Sequence, residues 1–162
     1  MSGYLLTGEI VGAKELKQAL DKAGSYAIQE LGKALIKTAL VIEGKAKVEA
    51  PINFGPLRAS IHSEGPKEYP GNVEARVGTN LNYAEAVEKG SRPHTPPIGP
   101  LKLWAKRKLG NENIAYAIQK KIAKTGTKGT FFFKKAKESS QSDFNKYITQ
   151  ALDSIMQFLA KG

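Results

Sequence analysis

From Lys14 to Glu49, apolar residues return every three or four positions and no proline interrupts them. Leu16, Leu20, Ala23, Ala27, Leu31, Ala34, Thr38, Ile42 and Ala46 fall on one stripe, with lysines and glutamates mostly elsewhere, as in an amphipathic helix. Run straight, such a helix is about 54 Å long, more than the width of a small domain. A chain of 162 residues suits one domain with a single core. The helix must therefore kink, with Gly24 the expected place, or another subunit must cover part of its stripe. Gly24, Gly32 and Gly44 each weaken it by roughly 1 kcal/mol relative to alanine.

Pro51 ends the helix, because proline has no amide hydrogen and disfavours a helical residue before it. Ala50–Ile61, APINFGPLRASI, reads as a hinge. Asn53, Gly55 and Pro56 supply a turn, and Gly55 is expected at positive φ. Pro51 and Gly55 are the hinge residues. Beyond them Leu57, Ala59 and Ile61 alternate with Arg58, Ser60 and His62, the pattern of a half-buried strand over Leu57–Ser63.

Glu64–Asn72 reads as a long polar loop, expected to be mobile. Val73, Ala75 and Val77 alternate with Glu74 and Arg76 as a second strand, antiparallel to the first. Tyr83–Lys89 suits a short helix with Tyr83, Ala84 and Val87 inward, ended by Gly90. Ser91–Pro100 holds four of the eight prolines and is neither regular helix nor central strand. A helix over Leu101–Leu109 buries Leu101, Trp104 and Ala105. After Gly110-Asn111 a second, capped by Asn111 or Asn113, buries Ile114, Ala117, Ile118 and Ile122 and ends at Gly126. Thr130–Phe133 is a β-prone piece. A last helix, from about Lys134 to Ala160, turns Ala136, Phe144, Ile148, Ala151, Leu152, Ile155 and Leu159 inward. It bends or restarts within Ser139–Asp143, where Ser and Asp favour caps. The fold class expected is α+β: a long N-terminal helix, a small antiparallel sheet built on a hairpin, and helices packed on one face, including a long C-terminal one.

Formal charge is +10, and its position matters more than its size. Residues 101–137 hold eleven basic side chains and one acidic one. Such a cluster meets nucleic acid, an acidic partner, or only water and counterions. On the nucleic-acid reading the contacts are Lys106, Arg107, Lys120, Lys121, Lys124 and Lys128. The absence of cysteine removes disulfides and thiolate metal sites. No apolar run approaches the ~20 residues that span a bilayer. The start, MSGYLLTGEIVG, lacks the basic and long apolar regions of a signal peptide, so the protein is expected to stay in the cytoplasm where it is made.

No constellation of an enzyme stands out, and neither a catalytic site, a metal nor a cofactor is expected. His62 lies on the polar face of a strand and His94 in a proline-rich loop. Glu85 and Glu88 read as a solvated helix face before a carboxylate pair. Gly126-Thr127-Lys128-Gly129 lacks the Walker pattern. It reads as a helix cap and turn, or as the Gly-x-x-Gly loop by which KH domains grip RNA, although the KH order of strands is missing.

Ala-Pro, a polar residue, Gly, then Leu57-Arg58-x-Ser60-Ile61 resembles the signature of the head–tail joining proteins of long-tailed bacteriophages and prophages, also called neck, minor tail or tail-completion proteins. Val77-Gly78-Thr79, Tyr83-Ala84, Val87-Glu88 and Gly90-Ser91 form a second block. A third runs from Pro97 to Ala136, with Leu101, Trp104, Gly126-Thr127-Lys128-Gly129 and Phe132 among its residues. Together they span Leu16 to Leu159. Phe54 departs from the pattern, where members often carry a small hydroxyl residue.

The resemblance implies one domain over residues 1–162, with a flexible stretch at 1–12. It also implies a structural virion protein that joins the head or connector to the tail, or completes the tail's head-proximal end. Implied partners are tail tube or terminator proteins and head-completion or connector proteins, in a six-fold ring of the virion neck assembled in the host cytoplasm, without a membrane. DNA passes through such an assembly, but specific binding is not expected, and most of the lysines are expected on an outer or partner-facing surface. From the residues themselves, Phe131, Phe132 and Phe133, with Tyr83 and Glu88 of the Tyr83–Glu88 segment, are the expected contacts with a neighbouring subunit or partner.

Overall fold

The computed structural model describes residues 13–52, 55–69 and 72–161. The stretch 1–12 and the turn residues Asn53 and Phe54 lie outside them. Helix α1, Ala13–Glu49, is the axis of the molecule, and Gly24 breaks it with φ 59 and ψ −141. The excess helix length is thus resolved by a kink at the position expected. Pro51 follows the end of α1, where the chain leaves the helix.

After the hinge the structure corrects the sequence reading. Gly55 has φ 84, and Pro56–Ser60 form a short helix, α2, not a strand. Leu57 and Ile61 are buried and Ala59 is exposed. A buried pair four apart fits one turn of helix as well as it fits alternation, and Pro56 at the first helical position favours the turn. Strand β1 then runs from His62 to Tyr69 and β2 from Asn72 to Gly78, paired antiparallel from His62↔Gly78 to Tyr69↔Asn72. The stretch expected as a mobile loop is therefore mostly paired strand, with an irregularity between Glu64 and Lys67. Its polarity reflects exposure: β1 is exposed at every position but Ser63. The hairpin sits close on α1 where Gly32 lacks a side chain. A Cβ there would lie 3.2 Å from the Pro66 ring.

Next come α3, Ala84–Lys89, and the two-residue strand β3, Gly90–Ser91. Helices α4, Ile98–Leu109, and α5, Ile114–Thr125, pack against each other. Strand β4, Thr127–Lys128, pairs with β3. Helix α6, Phe132–Ser139, and helix α7, Gln141–Lys161, end the chain. The restart expected within Ser139–Asp143 falls at Ser140, which is buried and whose hydroxyl donates to the Ala136 carbonyl at 2.7 Å.

Two apolar clusters lie along α1. The first half packs Ala27, Leu31 and Ala34 on Val73, Ala151 and Ile155. The second half packs Ala39, Ala46 and Ala50 on Leu57, Ile61, Val77, Phe132, Phe133 and Ala136. Lys45 fixes α1 to the α6–α7 junction by donating to the Ser139 carbonyl at 2.7 Å and to Asp143 at 2.8 Å. Glu43 fixes the hairpin, accepting from the Ser63 amide at 2.7 Å and the Ser63 hydroxyl at 2.6 Å while it pairs with Lys47. Partial burial alone would raise the Glu43 pKa. The hydrogen bonds from Lys47 and Ser63 outweigh that and hold it below the ordinary carboxylate value.

Three measurements test this frame. Gly44 lies in open space inside α1, so Gly44→Ala should raise stability by about 1 kcal/mol in urea titration. Gly55 is equally open but has positive φ, so Gly55→Val should lower stability by roughly 1–3 kcal/mol through backbone strain alone. The depressed Glu43 pKa gives stability that is present above the unfolded carboxylate value and lost as pH falls through the folded one. Glu43→Gln should therefore flatten the acid limb of a stability-versus-pH curve, and an unchanged limb would show that Glu43 does not hold the hairpin.

Candidate interaction surfaces

The blocks that carry the family resemblance meet in space, and they meet mainly as packing. Ser60 of the first block hydrogen-bonds Thr79 of the second, hydroxyl to hydroxyl at 2.6 Å. Leu57, Ile61, Val77 and Ala84 share one cluster with Phe132 of the third block.

The second and third blocks are joined by a backbone clasp. Gly90 pairs with Lys128 and Ser91 with Thr127. Thr130 donates its amide to the Val87 carbonyl at 2.9 Å, and Phe131 donates its amide to the Glu88 carbonyl at 3.0 Å. The strands approach so closely that only glycine fits. A Cβ on Gly126 would meet the Ser91 carbonyl, one on Gly129 the Glu88 carbonyl, and one on Gly90 the Thr127 carbonyl. The Gly126–Gly129 tetrapeptide is therefore half of an intramolecular strand pair, and the KH-like reading has no open loop to rest on.

Glu88 completes the clasp. It is buried, and its carboxylate accepts from the Phe133 amide at 2.9 Å and the Lys134 amide at 3.1 Å. These are free amides of the first turn of α6, whose N-cap residue Phe131 supplies no side-chain bond. Glu88 thus caps a helix 45 residues away. It is neither solvated nor exposed as a partner contact, contrary to both expectations for it. Its signal in the sequence was only a carboxylate two residues before a glycine.

The aromatic triplet divides. Phe132 is fully buried and Phe133 is 3% exposed, and both belong to the core. The β-prone edge strand does not form, because capped amides and apolar contacts turn these residues into the start of α6. Phe131 takes φ 54 and remains 45% exposed, with Lys134 near its ring. Tyr83 is 46% exposed rather than inward. It precedes α3, and its carbonyl accepts from the Val87 amide at 3.1 Å. Tyr83 and Phe131 thus offer exposed aromatic surface at the starts of α3 and α6.

Residues 92–126 leave the body at the clasp and return to it. They form an arm of α4 and α5, with Gly110 in left-handed conformation at the bend. Ala105 and Ala115 are the buried residues of its two helices. Ala117 and Ile114 are exposed instead of inward. The loop into the arm is tied down: Gln119 donates to the Pro96 carbonyl at 2.8 Å. The arm carries eight basic residues and one acidic one. It collects Lys106, Arg107, Lys120, Lys121 and Lys124, all exposed, while Lys128 lies in β4 of the clasp. Leu103 at 58% and Tyr116 at 50% are exposed on it as well, which periodicity did not single out.

His62 bonds Ser60 and Glu64, and His94 bonds Ser91 and the Arg92 carbonyl, so the two histidines serve different elements. Among the described residues no group of three His, Cys, Asp or Glu side chains is placed to hold a metal. No helix among them is long and apolar enough to cross a membrane.

Removal of the Glu88 carboxylate tests the clasp. Glu88→Ala should lower stability by about 1–3 kcal/mol, since two amides lose their acceptor. Glu88→Gln keeps one acceptor oxygen and should fall between. Equal stability of all three proteins in denaturant titration would mean that the cap adds nothing.

No curated protein matches the chain, and no solved structure does. One family model matches, over residues 14–90, described as Bacteriophage HK97-gp10, putative tail-component. The matched segment takes in nearly all of α1, then α2, the β1–β2 hairpin and α3, and it ends at Gly90, the first residue of β3. Through this segment the chain matches the HK97-gp10-like family of bacteriophage tail components, in keeping with the phage motifs those residues resemble.

Proposed function

We propose that this protein is a structural adaptor that joins the phage head or connector to the tail, or completes the head-proximal end of the tail, during virion assembly. It acts as a six-fold ring in the neck, assembled in the host cytoplasm, and it is not an enzyme. Its neighbours are tail tube or terminator proteins on one side and head-completion or connector proteins on the other. The observation that carries this reading is the family match, whose range takes in nearly all of α1 together with α2, the β1–β2 hairpin and α3. A tail component is part of the virion and works through surface complementarity, so its functional residues are exposed apolar and charged groups. Phe131 and Tyr83 supply the aromatic contacts, while the buried Phe132 and Phe133 hold α6 against α1.

A ring needs a head-to-tail contact that repeats and closes. Mass in solution and in purified particles should give a monomer or small oligomer alone and six copies per particle. Phe131→Asp should leave the isolated protein folded while tails and filled heads accumulate separately. Phe132→Asp should instead unfold it, because a carboxylate would enter the core. A Phe131→Asp variant that still yields infectious particles at the wild-type level would remove this contact from the adaptor.

A further inference from the structure

We infer that the α4–α5 arm is a binding site for the phosphate backbone of duplex DNA, held by charge and without base readout. The arm concentrates a net +7 in residues 92–126, against +10 for the whole chain. Its cations are distributed along both helices, at Lys102, Lys106, Arg107 and Lys108 of α4 and at Lys120, Lys121 and Lys124 of α5. Glu112 is the single carboxylate. A charge spread along the length of two helices fits a partner whose own charge is spread along its length. Each helix has 12 residues, hence about 18 Å of length. Duplex DNA presents one negative charge per ~1.7 Å of axis, so such a helix lies alongside about ten phosphates.

The arm's rings indicate the backbone and not the bases. Lys102 covers Tyr116, with its ammonium 5.0 Å from the ring centre, and Trp104 is half-buried. Tyr116 is 50% exposed but carries Lys102 over one face of its ring, so the arm presents no run of open rings of the kind on which a single strand stacks its bases. Phosphate contacts position without reading sequence. Binding of this kind is weak and steeply dependent on salt, which is compatible with DNA that has to move past the protein. It does not require the adaptor role, and the arm lies outside the matched segment 14–90.

The test uses the full chain and two mixed-sequence DNA duplexes of about 30 base pairs, titrated between about 50 and 200 mM salt. The comparison is a Lys120→Gln, Lys121→Gln, Lys124→Gln triple variant, whose three positions are exposed. The wild type should bind both duplexes equally. Its log affinity should fall linearly with log salt, with a slope of about −0.9 per phosphate neutralised. The triple variant should bind at least about tenfold more weakly at the lowest salt, with a slope shallower by about 2–3 and an unchanged melting temperature. Absence of wild-type binding at the lowest salt, equal binding by the variant, or preference for one duplex would each overturn the inference. So would the finding that tails purified without this protein sediment with the wild type and not with the variant while neither binds DNA. That outcome would assign the arm to an acidic protein surface, with Leu103 among its contacts. Tails that bind wild type and variant alike, together with variant-sensitive DNA binding, would support both the arm and the adaptor.

Discussion

The backbone pairing of residues 87–91 with 127–131 is the contact on which the rest of the arrangement depends. It joins segments about forty residues apart through main-chain bonds, and it puts Glu88 at the first turn of α6. With α6 held there, Phe132 and Phe133 reach the second half of α1, and Ser140 can start α7 back along the first half. The requirement is steric as much as polar. Carbonyls of one strand occupy the space where Gly90, Gly126 and Gly129 have no side chain. A buried carboxylate with two amide donors is well satisfied, and the same carboxylate without them would be costly. Formation of the clasp and formation of α6 therefore depend on each other.

The sequence disclosed those features whose cause is local. The period of α1, its break at Gly24, the positive φ of Gly55 and the restart near Ser140 each follow from a residue's own backbone preference. It misled where two periods share the same positions. Leu57 and Ile61, four apart, satisfy a helical turn and an alternating strand alike, and only the tertiary contact with α1 decides. Polarity also misled: Glu64–Tyr69 looked like a loop because a strand with little buried surface carries polar side chains on both faces. The clasp was legible only in part. Gly90, Gly126 and Gly129 were visible as turn residues, but their mutual approach is a non-local fact. Phe131–Phe133 looked like an edge strand because the acceptor that makes them helical, Glu88, is 45 residues earlier.

The candidate surfaces follow the same division. The cluster of cations was plain from composition, and the structure adds that most of it belongs to one arm. The aromatic cluster was equally plain, but side-chain burial separates Phe131 from its two neighbours, and a run of three identical residues contains no sign of that.

Closure of the arm at the clasp has an energetic consequence. An excursion of this length costs roughly 3 kcal/mol of loop-closure entropy, and doubling its length adds only about 0.6 kcal/mol. The body therefore tolerates change in the arm's length and charge far better than change at the three glycines, where one added carbon meets a carbonyl. The two demands on the chain fall in different places. Packing on α1 and the clasp engages α2, the β1–β2 hairpin, α3, α6 and α7, while the arm contributes no residue to either apolar cluster among the described residues. An element released from core packing is free to carry a net +7 whose self-repulsion would be hard to accommodate inside a core of this size. Concentrating the cations on the arm keeps that repulsion away from α1 and leaves it where a polyanion would neutralise it.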